Sequence, residues 1–230
     1  MKSKTALITG GSRGVGFAIC RQLARQDCRV LISTSDPDHG QAAVAALSSS
    51  SLQAEALHVD LANAMSIEEA YYDLEGRDIA VDVLVHAAGV FPTGAVLKSD
   101  PDQMIGALSV NVFGAMRLAH LFMPGMIARG YGRVVHITHA QGEANGGLVS
   151  VPSCMLSLGA LNALTLCLAA EAAGDVTVNA VYADLKERGV PGAVAGRSLA
   201  ETAATVVWLI EHPEGGPNGR FLERRGSTLH

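Results

Sequence analysis

Along the whole chain, short apolar runs alternate with longer, helix-length segments. Thr5–Thr9, Arg29–Ser33, Ala54–Val59, Val81–Val85, Arg133–Thr138, Val176–Val181 and Arg220–Glu223 predict seven strands. Between them, Phe17–Gln26, Pro37–Ser51, Ser66–Leu74, Pro101–Ala128, Cys154–Ala173 and Leu199–Glu211 predict helices. Ser66, with Glu69 three residues on, reads as the cap of its helix. Pro124 and Gly125 predict a kink near the end of the long helical region. Short strands rich in Val, Ile and Leu, alternating with helices, imply an α/β fold: a doubly wound parallel sheet of seven strands with helices on both faces. No linker, repeat or charge run divides the chain, so residues 1–230 read as a single domain, with Ser48–Ser51 as a surface loop.

The helix from Cys154 is apolar nearly all round, with Leu156, Leu158, Leu161, Leu164, Leu166 and Leu168. Packing on the sheet explains one side, and a subunit interface explains the other. This predicts a homo- or hetero-oligomer through the helices Pro101–Ala128 and Cys154–Ala173. Composition narrows the picture further. With 230 residues, 49% hydrophobic and 17% charged, the chain can bury a full core. A net charge of −5 argues against nucleic acid as the main partner. No uninterrupted apolar run of about 18 residues marks a membrane span. The first strand begins almost at once, without a signal-peptide pattern. Cys20, Cys28, Cys154 and Cys167 lack metal-ligand spacing and read as buried thiols in a reducing, cytoplasmic setting, with no metal expected.

The candidate chemistry begins at Thr9-Gly10-Gly11-Ser12-Arg13-Gly14-Val15-Gly16, a glycine-rich turn between a strand and a helix. Orphan N–H groups and the positive end of the helix dipole favour an anion there. Gly10 supplies a positive φ, and Gly14 and Gly16 permit close approach of a pyrophosphate.

With these residues the chain resembles the short-chain dehydrogenase/reductase family across essentially its whole length. The turn matches the family's TGxxxGxG. Asp60-Leu61 matches the position that contacts adenine. His86-Ala87-Ala88-Gly89 occupies the place of the NNAG turn, with both asparagines changed. Asn111, in Asn-Val-Phe-Gly, matches the active-site Asn. The Ala203–Leu209 segment and the Gly215–Leu222 tail look like the carbonyl-reductase-like branch. The resemblance implies a single-domain Rossmann fold. It also implies a dinucleotide site built from Gly10, Ser12, Arg13, Gly14, Val15, Gly16, Ser35, Asp60, Leu61, Ala88 and Gly89. The second strand ends Ser33-Thr34-Ser35, with Asp36 slightly late to bind a ribose 2′-OH. Arg13 stands where members that use NADP place a cation. NADP is therefore expected over NAD, unless Arg13 meets only solvent or pairs with Asp36.

The family's chemistry needs a Ser after the fifth strand and a Tyr-x-x-x-Lys on the next helix. The resemblance puts His139 at the Ser position, Cys154 at the Tyr position and Leu158 at the Lys position. Ser157 keeps the serine before the lysine. Ala183-Asp184 replaces the usual Pro-Gly after the sixth strand. Tyr182 and Lys186 make the chain's only Tyr-x-x-x-Lys. It runs from a strand end into a loop, where that spacing does not bring side chains together.

Three readings follow. In the leading one, His139, oriented by Asp184 and helped by Cys154 and Asn111, performs non-redox acid/base chemistry on a small organic substrate. Glu143 and Arg188 flank that pocket, and residues 183–198 form a substrate lid. In the second, the protein is a catalytically silent subunit of an active partner, and the cofactor is unused or absent. In the third, it is an NADPH-dependent carbonyl reductase with an unusual proton donor. The plain alternatives are structural: His139, His86 and His136 as satisfied strand-end residues, Cys154 as a core residue, and Asp184–Arg188 as a loop salt bridge.

Overall fold

The computed structural model describes residues 4–138, 151–183, 198–225 and 227–228. Its elements, in order, are β1 (Thr5–Thr9), α1 (Gly14–Ala24), β2 (Arg29–Thr34), α2 (Pro37–Ser48), β3 (Ala54–His58), α3 (Ala64–Gly76) and β4 (Val83–His86). There follow α4 (Pro101–Leu108), a π-helical turn (Ser109–Phe113), α5 (Gly114–Arg129), β5 (Tyr131–Thr138), α6 (Pro152–Glu171), β6 (Asp175–Tyr182), α7 (Leu199–Glu211), β7 (Phe221–Arg224) and β8 (Ser227–Thr228). The strands form one sheet in the order β3-β2-β1-β4-β5-β6-β7-β8. The first seven pair in parallel, as the alternation of strands and helices implies, and the short β8 joins antiparallel to β7.

Successive side chains of each strand enter opposite layers, because the strand period is two. Ile8, Ile32, Val85, Val135 and Val181 pack with Val15, Ile19 and Leu23 of α1, Leu47 of α2 and Val206 and Ile210 of α7. Leu7, Leu31, Leu84, Val134 and Val178 face the other way, onto Ile67 and Leu74 of α3 and Leu118, Phe122 and Met126 of α5. A third, smaller cluster joins Ala115, Val151, Cys154, Leu158 and Leu161 between α5 and α6.

Several local expectations are corrected. The cap of α3 is Asn63, whose side chain accepts from the Met65 N–H. Ser66 instead accepts from the Asp60 N–H at 2.9 Å, tying the helix back to the end of β3. Pro124 sits inside α5, which runs on to Arg129 and ends at Gly130 with φ +73°. The break in the long helical region lies earlier, in the turn Ser109–Phe113. The strongest cap was not foreseen: Ser198 and Glu201 form a complete capping box on α7. Pro101–Arg129 and Pro152–Glu171 are long and apolar enough to cross a bilayer, which the absence of an unbroken apolar run did not suggest. Both lie against the sheet, and that packing accounts for one side of each.

The chain reaches β3 at one edge and then returns across the sheet to β4, so β1 lies between β2 and β4. At that reversal the loops leaving the strands part, and a crevice opens at the C-terminal ends. The glycine turn leaves β1 at this point.

Candidate functional site

The crevice is a cavity of about 680 Å³. Its lining includes each of Gly10, Ser12, Arg13, Gly14, Val15, Gly16, Ser35, Asp60, Leu61, Ala88 and Gly89. Among the described residues Ser33, Thr34, Asp36, His39, Val59, Ala87, Val90 and Val110 also line it.

The turn that forms one wall is close-packed backbone. Gly10 and Gly14 have φ of +62° and +54°, the left-handed region in which a side chain is strained. A Cβ on Gly10 would stand 2.8 Å from the Cα of Ala88, and one on Gly16 would run into the Gly10 carbonyl. Arg13 caps α1 in extended conformation with no side-chain cap bond, and the first turn carries no acid. Among the described residues no acid caps the first N–H groups of α1, which line the cavity and fit a phosphate group.

Thr9 fastens this wall to the next. Its hydroxyl oxygen accepts from the N–H groups of Ala87 at 3.1 Å and Ala88 at 3.2 Å. Two acceptances use both lone pairs, so the hydroxyl proton goes to Nδ1 of His86, 3.1 Å away. His136, paired with His86 across β4 and β5, shows the opposite arrangement. The Thr165 hydroxyl donates to the Leu161 carbonyl at 2.9 Å, so Nδ1–H of His136 donates to Thr165 Oγ1 at 2.8 Å. Complete burial pushes the His136 pKa down to about 4, so the ring stays neutral. Each of the two histidines contacts a threonine hydroxyl.

Asn111 lies in the π-helical turn and is 1% exposed. Its Oδ1 accepts from the Val90 N–H at 2.8 Å. Its Nδ2 donates to the Val90 carbonyl at 2.9 Å and to Ser157 Oγ at 2.8 Å. Ser157 in turn donates to the Ser153 carbonyl at 2.6 Å. The amide thus clamps the segment after β4 and ties it to α6, so its side chain positions the wall rather than reaching into the cavity.

Cys154, considered as a nucleophile, is 1% exposed and packs with Ala115, Val151, Leu158 and Leu161. That burial makes it a core residue. Leu158 is 3% exposed in the same cluster. Among the four thiols, Cys167 is the exposed one, against the expectation that all are buried. Asp36, considered as a partner for Arg13, pairs with His39 at 3.0 Å. Tyr182 stacks on Phe221 with ring centroids 6.2 Å apart. His139, Glu143, Asp184, Lys186, Arg188 and the lid segment between Ala183 and Ser198 lie outside the described residues. His39 and Val110 were missed by the sequence reading; neither belongs to a motif, and only the path of the chain brings them to the glycine turn.

Residues 4–186 match the short chain dehydrogenase family. The chain is 30% identical to an acetoacetyl-CoA reductase of Rhizobium meliloti (strain 1021), over 97% of this chain and 98% of that protein. It is 29% identical to the 3-oxoacyl-[acyl-carrier-protein] reductase of Homo sapiens, over 91% of this chain and 92% of that protein. A metagenomic short-chain oxidoreductase in complex with NADP superimposes with a TM-score of 0.82 at 25% identity, covering 94% of each chain. These relatives correct the leading functional expectation. Proteins alike over nearly the full chain are named as reductases, which points to redox chemistry and not to a non-redox cyclase or a silent subunit. By its matched residues, its sheet order and the glycine turn at the reversal of that order, the chain belongs to the short-chain dehydrogenase/reductase family.

Proposed function

We propose that the protein is a carbonyl reductase that uses NADP(H), with 3-oxoacyl thioesters as its first substrate class. One observation carries the reading: the uncapped N-terminus of α1, behind its glycine turn, faces a cavity large enough for a dinucleotide. The names of the two reductase relatives support the substrate class, and the NADP complex of the metagenomic oxidoreductase supports the cofactor. When bound, NADPH supplies the hydride. The N–H groups of the Gly10–Gly16 turn would hold the pyrophosphate, and Arg13 and Ser35 would serve the 2′-phosphate. Asp60 and Leu61 would contact the adenine, and Ala88 and Gly89 would line the ribose path. Thr9 and Asn111 keep the two walls at fixed separation.

Reduction of a carbonyl adds a hydride to carbon and a proton to oxygen. By the family's register the tyrosine and lysine that would supply the proton are Cys154 and Leu158 here, and neither suits the task. We assign proton delivery to His139, directly after β5 in the chain, with Asp184 as the carboxylate that orients its ring. Self-association through the helices α4 to α6 belongs to the same proposal. Ile105, Phe113, Met116, Leu156 and Leu166 expose 42–59% of their surface on those elements.

The test is spectrophotometric. NADPH with acetoacetyl-CoA should be oxidised by the wild type, and His139→Ala should lower kcat by about 10²–10⁴ with NADPH affinity retained. Absence of NADP(H) binding, or binding without NADPH oxidation on 3-oxoacyl thioesters, quinones and simple ketones, would overturn the proposal.

A further inference from the structure

At the outer end of the cavity, beyond β2, stand an acid and a histidine of one helix turn. Asp36 is the N-cap of α2: its Oδ1 accepts from the N–H groups of Asp38 at 3.0 Å and His39 at 3.2 Å. Its Oδ2 stands 3.0 Å from His39 Nδ1. Both carboxylate oxygens are thus engaged by the first turn of α2. The Asp36 N–H is held by Thr34 Oγ1 at 3.2 Å, which fixes the residue from the strand side. Asp36 and His39 line the cavity together with Arg13 and Ser35. The acid after β2 is therefore committed to the helix and is not held out for a ribose diol. As an ion pair it does little for folding, because the two side chains are 48% and 61% exposed.

We infer that His39 determines, through its charge, how strongly this site prefers a 2′-phosphorylated dinucleotide to an unphosphorylated one. The inference rests on the reading that the cavity holds a dinucleotide. With a neutral imidazole, Asp36 leaves one uncompensated negative charge beside the phosphate subsite, and a phosphate dianion is repelled. With an imidazolium, the pair is neutral: Nδ1–H holds Asp36, and Nε2–H becomes a charged donor for the phosphate. Histidine makes this change between about pH 5 and 8. A ribose with a free 2′-OH carries no charge there and is nearly indifferent to it. Preference for the phosphorylated ligand therefore falls as pH rises, and its binding draws a proton onto His39.

The surrounding charges leave this pair as the local switch. On its own helix His39 has Asp38 as the neighbouring acid. From the turn before α1 the cavity presents Arg13, and from the end of β3 it presents Asp60. On the strands packed against α2, Arg29 and Glu55 pair with each other at 3.1 Å, and His58 is exposed at the end of β3.

The experiment measures binding of adenosine 2′,5′-bisphosphate and of 5′-AMP to the full chain by calorimetry at pH 5.5, 7 and 8.5, in buffers of different ionisation enthalpy. Compared are the wild type, His39→Gln and Asp36→Asn. Glutamine keeps a donor toward Asp36 but carries no charge, and asparagine keeps the cap. The ligand phosphate's own titration is common to all three proteins, so the difference between wild type and His39→Gln isolates the histidine. The wild-type preference for the bisphosphate should fall about tenfold more across this range than that of His39→Gln. Asp36→Asn should restore several-fold tighter bisphosphate binding at pH 8.5. Equal pH dependence and equal proton uptake in wild type and His39→Gln would overturn the inference while leaving the dinucleotide reading intact. Failure of both nucleotides, and of NADP(H) and NAD(H), to bind would overturn that reading and the inference with it.

Discussion

Two regions of the molecule are built from different material. Around the glycine turn the wall is backbone: amides of an uncapped helix, glycines packed against Ala88 and Gly10, and a threonine that binds two N–H groups. Around the start of α6 the structure is side chain, and it is apolar: Cys154, Leu158 and Leu161 interlock with Ala115 and Val151. The first region presents unsatisfied donors to the cavity, and the second presents none from these residues. A polar cradle and an apolar core thus sit on separate elements of one sheet-and-helix frame. The names of the reductase relatives point to redox chemistry.

That contrast can be broken most directly by putting a charge into the apolar region. Leu158→Lys should destabilise the protein by about 3–5 kcal/mol, the range for an unpaired buried charge, and lower Tm by roughly 10 °C. Calorimetric melting checks it; an unchanged Tm would mean that this region is a pocket rather than core. On the titrating side, His136 is neutral in the fold, with a pKa of about 4, and titrates near 6.5 when unfolded. Between those values the unfolded chain binds the extra proton, so stability is full above pH 6.5 and is lost as pH falls toward 4. The loss is on the order of 3 kcal/mol, and His136→Asn should flatten it; urea midpoints at pH 7.5 and 4.5 measure both. At the cradle, Gly16→Ala should weaken NADPH binding about 10- to 100-fold, because the added methyl meets the Gly10 carbonyl and displaces the turn. Fluorescence titration reads it, and wild-type affinity in that variant would remove the cradle from the argument. The smallest effect is local: Ser198→Ala removes the capping box of α7 and should cost about 1 kcal/mol, seen as a modest drop in Tm with NADPH affinity unchanged.

The sheet and the cradle were legible because they depend on short-range pattern. Alternating apolar runs mark the strands, and a glycine turn between a strand and a helix has one common structural meaning. What failed to show was decided across the chain. Ser66 has every local qualification of a cap, but Asn63 lies nearer the true start of α3 and Ser66 reaches back to the Asp60 N–H. Pro124 signals a break by its missing N–H, and α5 accommodates it. The actual break at Ser109–Phe113 is held by Asn111 bonds to Val90 and Ser157, 21 and 46 residues away, which no window on the sequence contains. His39 reaches the cavity because α2 follows β2 at the reversal of strand order, and the residue itself carries no motif. Cys154 could be placed by register, but whether it faced a pocket or a core depended on Ala115, a helix away.

The π-helical turn at Asn111 also sets the angular reference of everything after it. Each residue of an α-helix advances the azimuth by about 100°, so one residue more or less in this turn rotates all that follows by that amount. The apolar stripe of α5, formed by Leu118, Phe122 and Met126, meets the sheet at its observed angle because the count through Ser109–Phe113 is what it is. Removing a single residue there would carry Leu118, Phe122 and Met126 round to the azimuths now held by Arg117, Leu121 and Gly125, and bring His120 to that of the buried Ala119. The turn is a phase marker for half of one helical layer, held in place by one asparagine amide.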